Sequence, residues 1–253
     1  MGKKATKSPF MAACPFTPIW NWGITFLSKE VIMIKDNIKR IQTELPEGVQ
    51  LVGAAKTRSA EEVLEAIEGG LTIIGHNYVQ EAERLYAAIS RPVKWHMIGH
   101  LQSNKAKKTV AIFDMIETVD SLKLAKAIDK ACKGLNKTMP ILLEINSGEE
   151  VQKAGVMPEA AARLIKEMST LSHVKVRGLM TMGPFTGDPE ESRPYFRKTK
   201  KLFDEIKTLN LQNAEMLILS MGMSNSYGVA IEEGANLVRI GTKIFGDRTY
   251  GAS

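Results

Sequence analysis

The chain has 253 residues, 44% hydrophobic and 25% charged, the composition of an ordinary globular protein with room for one large domain or two small ones. Its net charge is +6, but half of that sits in residues 1–32, where Lys3, Lys4, Lys7 and Lys29 stand against Glu30 alone. No basic stripe interleaved with aromatics argues for nucleic acid. Two distant cysteines, Cys14 and Cys132, and four histidines without HExxH spacing argue against a disulfide framework or a metal site, and fit a reducing cytoplasm.

Taken in order, residues 10–27 are fairly apolar behind a basic start, as in a signal peptide. Pro15, Pro18 and Asn21 interrupt them, and they lack the apolar length of a membrane span. Met33 opens a better amphipathic helix, so residues 1–32 are expected to be a disordered extension and residues 33–253 the folded domain. After Pro46-Glu47-Gly48 a strand is expected over 51–56, then a helix opened by the capping box Ser59–Glu62 and stopped by Gly69-Gly70. Further strands are expected over 72–75, 94–98, 115–119, 139–145, 174–179, 215–219 and 237–240, with a helix in each interval. Pro158 starts one of these helices. Asp188-Pro189-Glu190-Glu191 starts another, which runs to about residue 209. The basic run Asn104–Lys108 reads as a solvated helix face.

Eight strands, apolar on both faces and strictly alternating with helices, point to a single-domain (β/α)8 TIM barrel, with a doubly wound open sheet as the alternative. In a barrel the functional residues lie at the C-terminal strand ends. Here the first strand ends in Lys56-Thr57. The others run into Gly75-His76-Asn77-Tyr78, His96–Gln102, Asn146-Ser147-Gly148, Met180–Gly183, Ser220–Ser224 and Gly241-Thr242. A partly desolvated lysine at a strand end loses its proton more easily and becomes a nucleophile toward carbonyls. Ser220, Ser224, Gly241 and Thr242 fall where such barrels hold a phosphate. An amine facing a phosphate site suits a class I aldolase or a pyridoxal phosphate protein. Arg239 favours the second, since an arginine facing the pyridine nitrogen would keep it unprotonated.

The stretches Lys56-Thr57, Gly75–Glu81, Trp95–Lys105, Gly178–Met182, Ser220–Ser224 and Val238–Gly246 resemble the pyridoxal phosphate homeostasis protein family, single-domain relatives of the alanine racemase barrel. The resemblance runs from about residue 49 to residue 248. It implies that pyridoxal 5′-phosphate is held as a Schiff base on Lys56. Ser224, Gly241 and Thr242 would hold its phosphate, Arg239 would face the pyridine nitrogen, and Asn77 and His96 would line the pocket. The family's usual serine and glutamate are replaced here by Ala55 and His76, and His76 could alter the pocket's charge. His96 could instead be a core histidine and Asn77 a helix cap.

Two functions are then expected. The resemblance favours a carrier that holds pyridoxal phosphate for vitamin B6 homeostasis with little or no turnover. Its partners would be the cofactor and apo-enzymes that use it, with no nucleic acid, no membrane and no metal, as a monomer or weak dimer. The alternative is an amino-acid racemase with Lys56 as one base. The racemases that resemble this barrel take their second base, a tyrosine, from a C-terminal domain that is not expected after the eighth strand. Tyr78, Tyr195 and Tyr250 are the substitutes.

Overall fold

The computed structural model describes residues 33–150, 152–184 and 187–247; the expectations for residues 1–32 and for Tyr250 lie outside them. Eight parallel strands close into a barrel in chain order: β1 Gln50–Ala54, β2 Ile73–His76, β3 Lys94–Met97, β4 Met115–Val119, β5 Met139–Glu144, β6 Val174–Met180, β7 Ala214–Ser220 and β8 Leu237–Ile240. The helices are α1 Ile34–Glu44, α2 Ala60–Glu68, α3 Val79–Ala88, α4 Ala106–Ile112, α5 Leu122–Lys133, α6 Pro158–Met168, α7 Arg193–Lys207, α8 Tyr227–Glu232 and α9 Thr242–Phe245. Closure pairs β8 with β1 and leaves no free edge. The protein is a (β/α)8 barrel, and the open-sheet alternative is set aside.

Local chemistry explains most element ends. Ser59 accepts from the Glu62 amide, and Glu62 reaches back to the Ser59 amide, so α2 begins with both halves of a capping box. Ser121 caps α5 through the Leu124 amide. Pro158 takes the first position of α6, where its missing N–H costs nothing. Three expectations shift. Asp188 caps a 3-10 turn at Pro189–Ser192, and the α-helix proper starts only at Arg193. The single helix expected between the third and fourth strands divides into a 3-10 turn, Ser103–Lys105, and α4. The one-turn α9 was not anticipated.

Two apolar systems hold the barrel. Outward residues such as Leu51, Ile74, Trp95, Ile116, Leu143 and Leu179 pack against the helices. Inward residues fill the barrel itself: Val52, Ile73, Ile98 and Leu237 in one group and Met115, Leu142 and Met180 in another, with Ile218 against both. Period-2 alternation therefore hides in strands that look apolar throughout. The same inward rows also carry buried polar side chains, His96, Glu117, Ser220 and Arg239, the last level with Val52.

Candidate functional site

Val52 and Ala54 face inward on β1, and Lys56 continues that row two residues beyond the strand. It is therefore a turn residue and not the last residue of the strand. Thr57 behind it takes a left-handed φ of +65°, a costly conformation for a β-branched residue. The Thr57 amide donates to Glu81 Oε2 at 3.3 Å, and its hydroxyl donates to the Lys56 carbonyl at 2.6 Å. These bonds hold the turn that presents the amine. Lys56 is half-buried, its Nζ 5.1 Å from the centre of the Tyr78 ring, and it makes no ion pair among the described residues.

β8 lies directly beside β1, with Val52 level with Arg239 and Gly53 level with Ile240. A side chain on Gly241 would sit 3.4 Å from the Ala54 carbonyl, so the Gly241-Thr242 turn lies against the end of β1, next to Lys56. Ser224 Oγ accepts from the Gly241 amide at 3.2 Å, which ties the loop after β7 to that turn. Within the loop Gly222 has φ +91°, and a Cβ there would meet Ala230 Cβ at 2.6 Å, so this path needs glycine. The first turn of α9 leaves the Thr242 and Lys243 amides without helical acceptors. Arg58 donates to the Gly246 carbonyl and Asn37 to the Ile244 carbonyl, pinning α9 from both sides.

Arg239 points into the barrel and is buried. Its Nη1 donates to Ser220 Oγ and its Nη2 to the Thr181 carbonyl at 2.9 Å. Ser220 Oγ donates to Glu117 Oε2 at 2.6 Å, and His96 Nδ1 donates to Glu117 Oε1 at 2.7 Å. A chain of four side chains from β3, β4, β7 and β8 thus crosses the barrel beneath its mouth. Burial pushes the Glu117 carboxyl up, but the His96 hydrogen bond, the charges of His96 and Arg239 and the Ser220 hydroxyl outweigh it and hold it below the usual range. Glu117 is therefore the counter-charge of Arg239.

These positions revise several expectations. Lys56, Gly241, Thr242 and Ser224 gather on adjacent elements at the mouth, with Arg239 buried in the barrel just beneath them. Ser220 does not join them as a phosphate donor, because its single proton is committed to Glu117 and its oxygen to Arg239. His96 is a buried side chain one layer below the mouth. It touches Glu117 and also borders a cavity at the barrel's opposite end. Asn77 is half-buried at the end of β2 and is not the cap of α3, whose N-cap is Tyr78. The Asn77 backbone packs so tightly on Gly99 that a Cβ there would come within 2.4 Å of the Asn77 carbonyl oxygen. His76 does not enter the pocket: it leaves the barrel interior, stacks on Trp95 at 5.7 Å and has no partner for either ring nitrogen. Burial lowers its pKa to about 4, so it is neutral and adds no charge to the site. Tyr195 lies on α7 in the outer ring.

Glu117 is the residue that sequence reasoning missed. The signal was a carboxylate at the centre of a strand, Met115–Val119, whose five residues are all buried. An unpartnered charge cannot persist there, so the position called for a cation across the barrel.

A pyridoxal phosphate group fits these residues. The site offers an amine without a carboxylate partner, a glycine-lined turn with unfilled amides on the adjacent strand, and a planar arginine held in one orientation. Among the described residues no helix is long and apolar enough to cross a membrane.

Comparison with known proteins identifies the chain's relatives. Residues 32–249 match the family model described as alanine racemase, N-terminal domain. The pyridoxal phosphate homeostasis protein of Aquifex aeolicus is 43% identical over 202 residues, covering 79% of this chain and 88% of the relative. Its counterpart in Pasteurella multocida is 35% identical, covering 88% of this chain and 98% of the relative. The solved structure of PipY from Synechococcus elongatus PCC7942 with PLP bound superposes with a TM-score of 0.78 at 32% identity, covering 84% of this chain and all of PipY. Alanine racemase of Clostridium difficile 630, at 18% identity and a TM-score of 0.71, shares the fold. Together the match over the whole barrel and the identity to full-length relatives show that the chain belongs to the pyridoxal phosphate homeostasis protein family, within the alanine racemase N-terminal domain group.

Proposed function

We infer that the protein binds pyridoxal 5′-phosphate, anchors it covalently through its aldehyde to Lys56, and serves vitamin B6 homeostasis with little or no turnover. The observation that carries this reading is the adjacency of β8 and β1, which sets Lys56 beside the Gly241-Thr242 turn. The names of the relatives and the PLP bound by PipY support it.

When bound, the cofactor supplies an aldehyde that reacts reversibly with amines and a ring that can withdraw electrons. The chain's own residues do the rest. Lys56 provides the attaching amine. Ser224, whose hydroxyl proton is free, and the open Thr242 amide of the Gly241-Thr242 turn would hold the phosphate, while Asn77 lines the mouth. Arg239, its charge supported by Glu117 against the cost of burial, would face the ring nitrogen, where a cation would disfavour protonation of that nitrogen and weaken the ring as an electron sink. That electrostatic choice suits holding the cofactor over turning substrates over. Glu117, Ser220 and His96 keep Arg239 charged and in place without touching the cofactor.

Buried, unpaired Cys132 supports a reducing cytoplasm as the compartment, and apo-enzymes that need the cofactor are the natural recipients. A monomer or weak dimer suffices for this role. An absorbance spectrum of the purified protein, followed by an assay of α-proton exchange in alanine, tests the reading. A visible cofactor band without exchange is the expected result. Exchange at enzyme-like rates would make it a racemase, and the absence of a band would overturn cofactor binding.

A further inference from the structure

The wall formed by the ends of β5 and β6 carries chemistry that the proposed cofactor site does not use. Glu144 closes β5 on its inward row, level with Met180 of β6. It is 7% exposed, and its Oε2 has no hydrogen-bond partner. It borders a cavity of about 410 Å³ that Met182 and Met223 also line. Met223 belongs to the loop after β7 that carries Ser224, so this cavity adjoins the mouth of the barrel.

The other polar groups on that wall are already paired. Asn146 Nδ2 donates to the Glu150 carbonyl at 2.8 Å, and its Oδ1 accepts from the Glu150 amide at 3.2 Å. Thr181 Oγ1 donates to the Ile145 carbonyl at 3.0 Å and so accepts from Ser147 Oγ at 2.8 Å. Lys153 Nζ is 2.5 Å from Glu150 Oε1. What remains is acceptor capacity: the Glu144 carboxylate and the lone pairs of Ser147. Unfilled acceptors around a buried carboxylate select a group that only donates, and a primary ammonium is compact, with three donors and no acceptor.

Charge points the same way. The charged groups that act on Glu144 are Asp120, from the end of β4, and Arg239, while Glu150 and Lys153, paired with each other, line the same cavity. Asp120 has His100 Nδ1 at 3.6 Å, and Arg239 is balanced by Glu117. Burial first and Asp120 second push the Glu144 carboxyl up to about 7, against the pull of Arg239. A cation entering the cavity would bring Glu144 to its charged form and release a proton.

We propose that Glu144 and this cavity form a subsite for a small primary ammonium with a short apolar body, lodged beside the cofactor site. Its position next to a reactive aldehyde rests on the proposed function; the ammonium binding itself does not. The two methionines supply the apolar contact and Glu144 the charge. The class of ligand is thus the class that reacts with aldehydes, a small primary amine.

Calorimetric titration of the full chain, stripped of cofactor, with n-butylammonium at pH 7.5 tests this. Saturable binding is expected in the wild type, with affinity about tenfold or more lower in Glu144→Gln, the loss that follows from removing a charged acceptor. Repeating the titration in two buffers of different ionisation heat should show proton release that grows as the pH falls toward 7. Glu144→Gln keeps the side chain's shape, and an unchanged melting temperature would show that the variant is folded. Should it unfold, n-butanol provides the second arm, since the neutral alcohol is expected not to bind the wild type. No saturable binding by the wild type, equal binding by folded Glu144→Gln, or equal binding of n-butanol would overturn the proposal. A missing cofactor band in the spectrum would overturn the proposed function and leave this result standing.

Discussion

Arg239 and Glu117 face each other across the barrel interior, Nη1 to Oε2 at 3.9 Å, with Ser220 Oγ bonded to both. Both side chains are buried, and neither is stable there alone. Breaking a buried pair by neutralising one member typically costs about 3–5 kcal/mol. Glu117→Gln is therefore expected to lower the unfolding free energy by that order in urea titrations. A change below about 1 kcal/mol would mean that Arg239 has another counter-charge.

The two serines after β7 should separate in their effects. Ser220 joins the buried pair, so Ser220→Ala leaves two groups short of a partner and should cost about 1–3 kcal/mol of stability. Ser224 is half-buried at the mouth, where it accepts from the Gly241 amide. Ser224→Ala should leave stability nearly unchanged and weaken cofactor affinity about tenfold, the worth of one hydrogen bond to a charged group. Cofactor titration followed by absorbance, alongside thermal melts, measures both. A phosphate role for Ser220 would show as the opposite pattern.

His76 predicts an acid limit to stability. Its pKa falls from 6.5 to about 4 on folding because the buried ring has no partner for a charge. The unfolded chain therefore takes up the proton first, and stability is lost as the pH drops from 6.5 toward 4. The full effect of this one group is at most about 3 kcal/mol. His76→Phe keeps a ring against Trp95 and removes the titrating group, so its stability should change less over that window. Identical pH dependence in both proteins would assign the acid limit to other groups.

Much of the fold could be read from the residues because its signals are local. β4 and β8 have the boundaries expected from their apolar runs, and the Ser59–Glu62 box and Pro158 start helices where capping chemistry places them. What escaped was too short or too distant for such signals. α9 is a single turn, with no room for helical periodicity. The strand ending short of Lys56 follows from the left-handed Thr57, a backbone state that a β-branched residue gives no reason to expect. Asp188-Pro189-Glu190-Glu191 has the chemistry of a helix start, yet its first turn is wound as a 3-10 turn.

The site divides in the same way. The placement of Lys56, Arg239, Ser224, Gly241 and Thr242 on neighbouring elements follows from counting strand ends. The role of Ser220 depends on Glu117, which lies 103 positions away in sequence and meets it only once the barrel closes. The outward turn of His76 depends on Gly75 facing inward beside Val52 and Ile98, a matter of strand parity that an all-buried strand conceals.

Lys56 is the residue proposed to hold the cofactor. Borohydride reduction of the cofactor-loaded protein, followed by peptide mass spectrometry, tests it most directly. The expected result is a pyridoxyl phosphate mass on the peptide containing Lys56, and no trapped cofactor in Lys56→Ala. Trapping that survives unchanged in Lys56→Ala, or a label on any other lysine in the wild type, would contradict it.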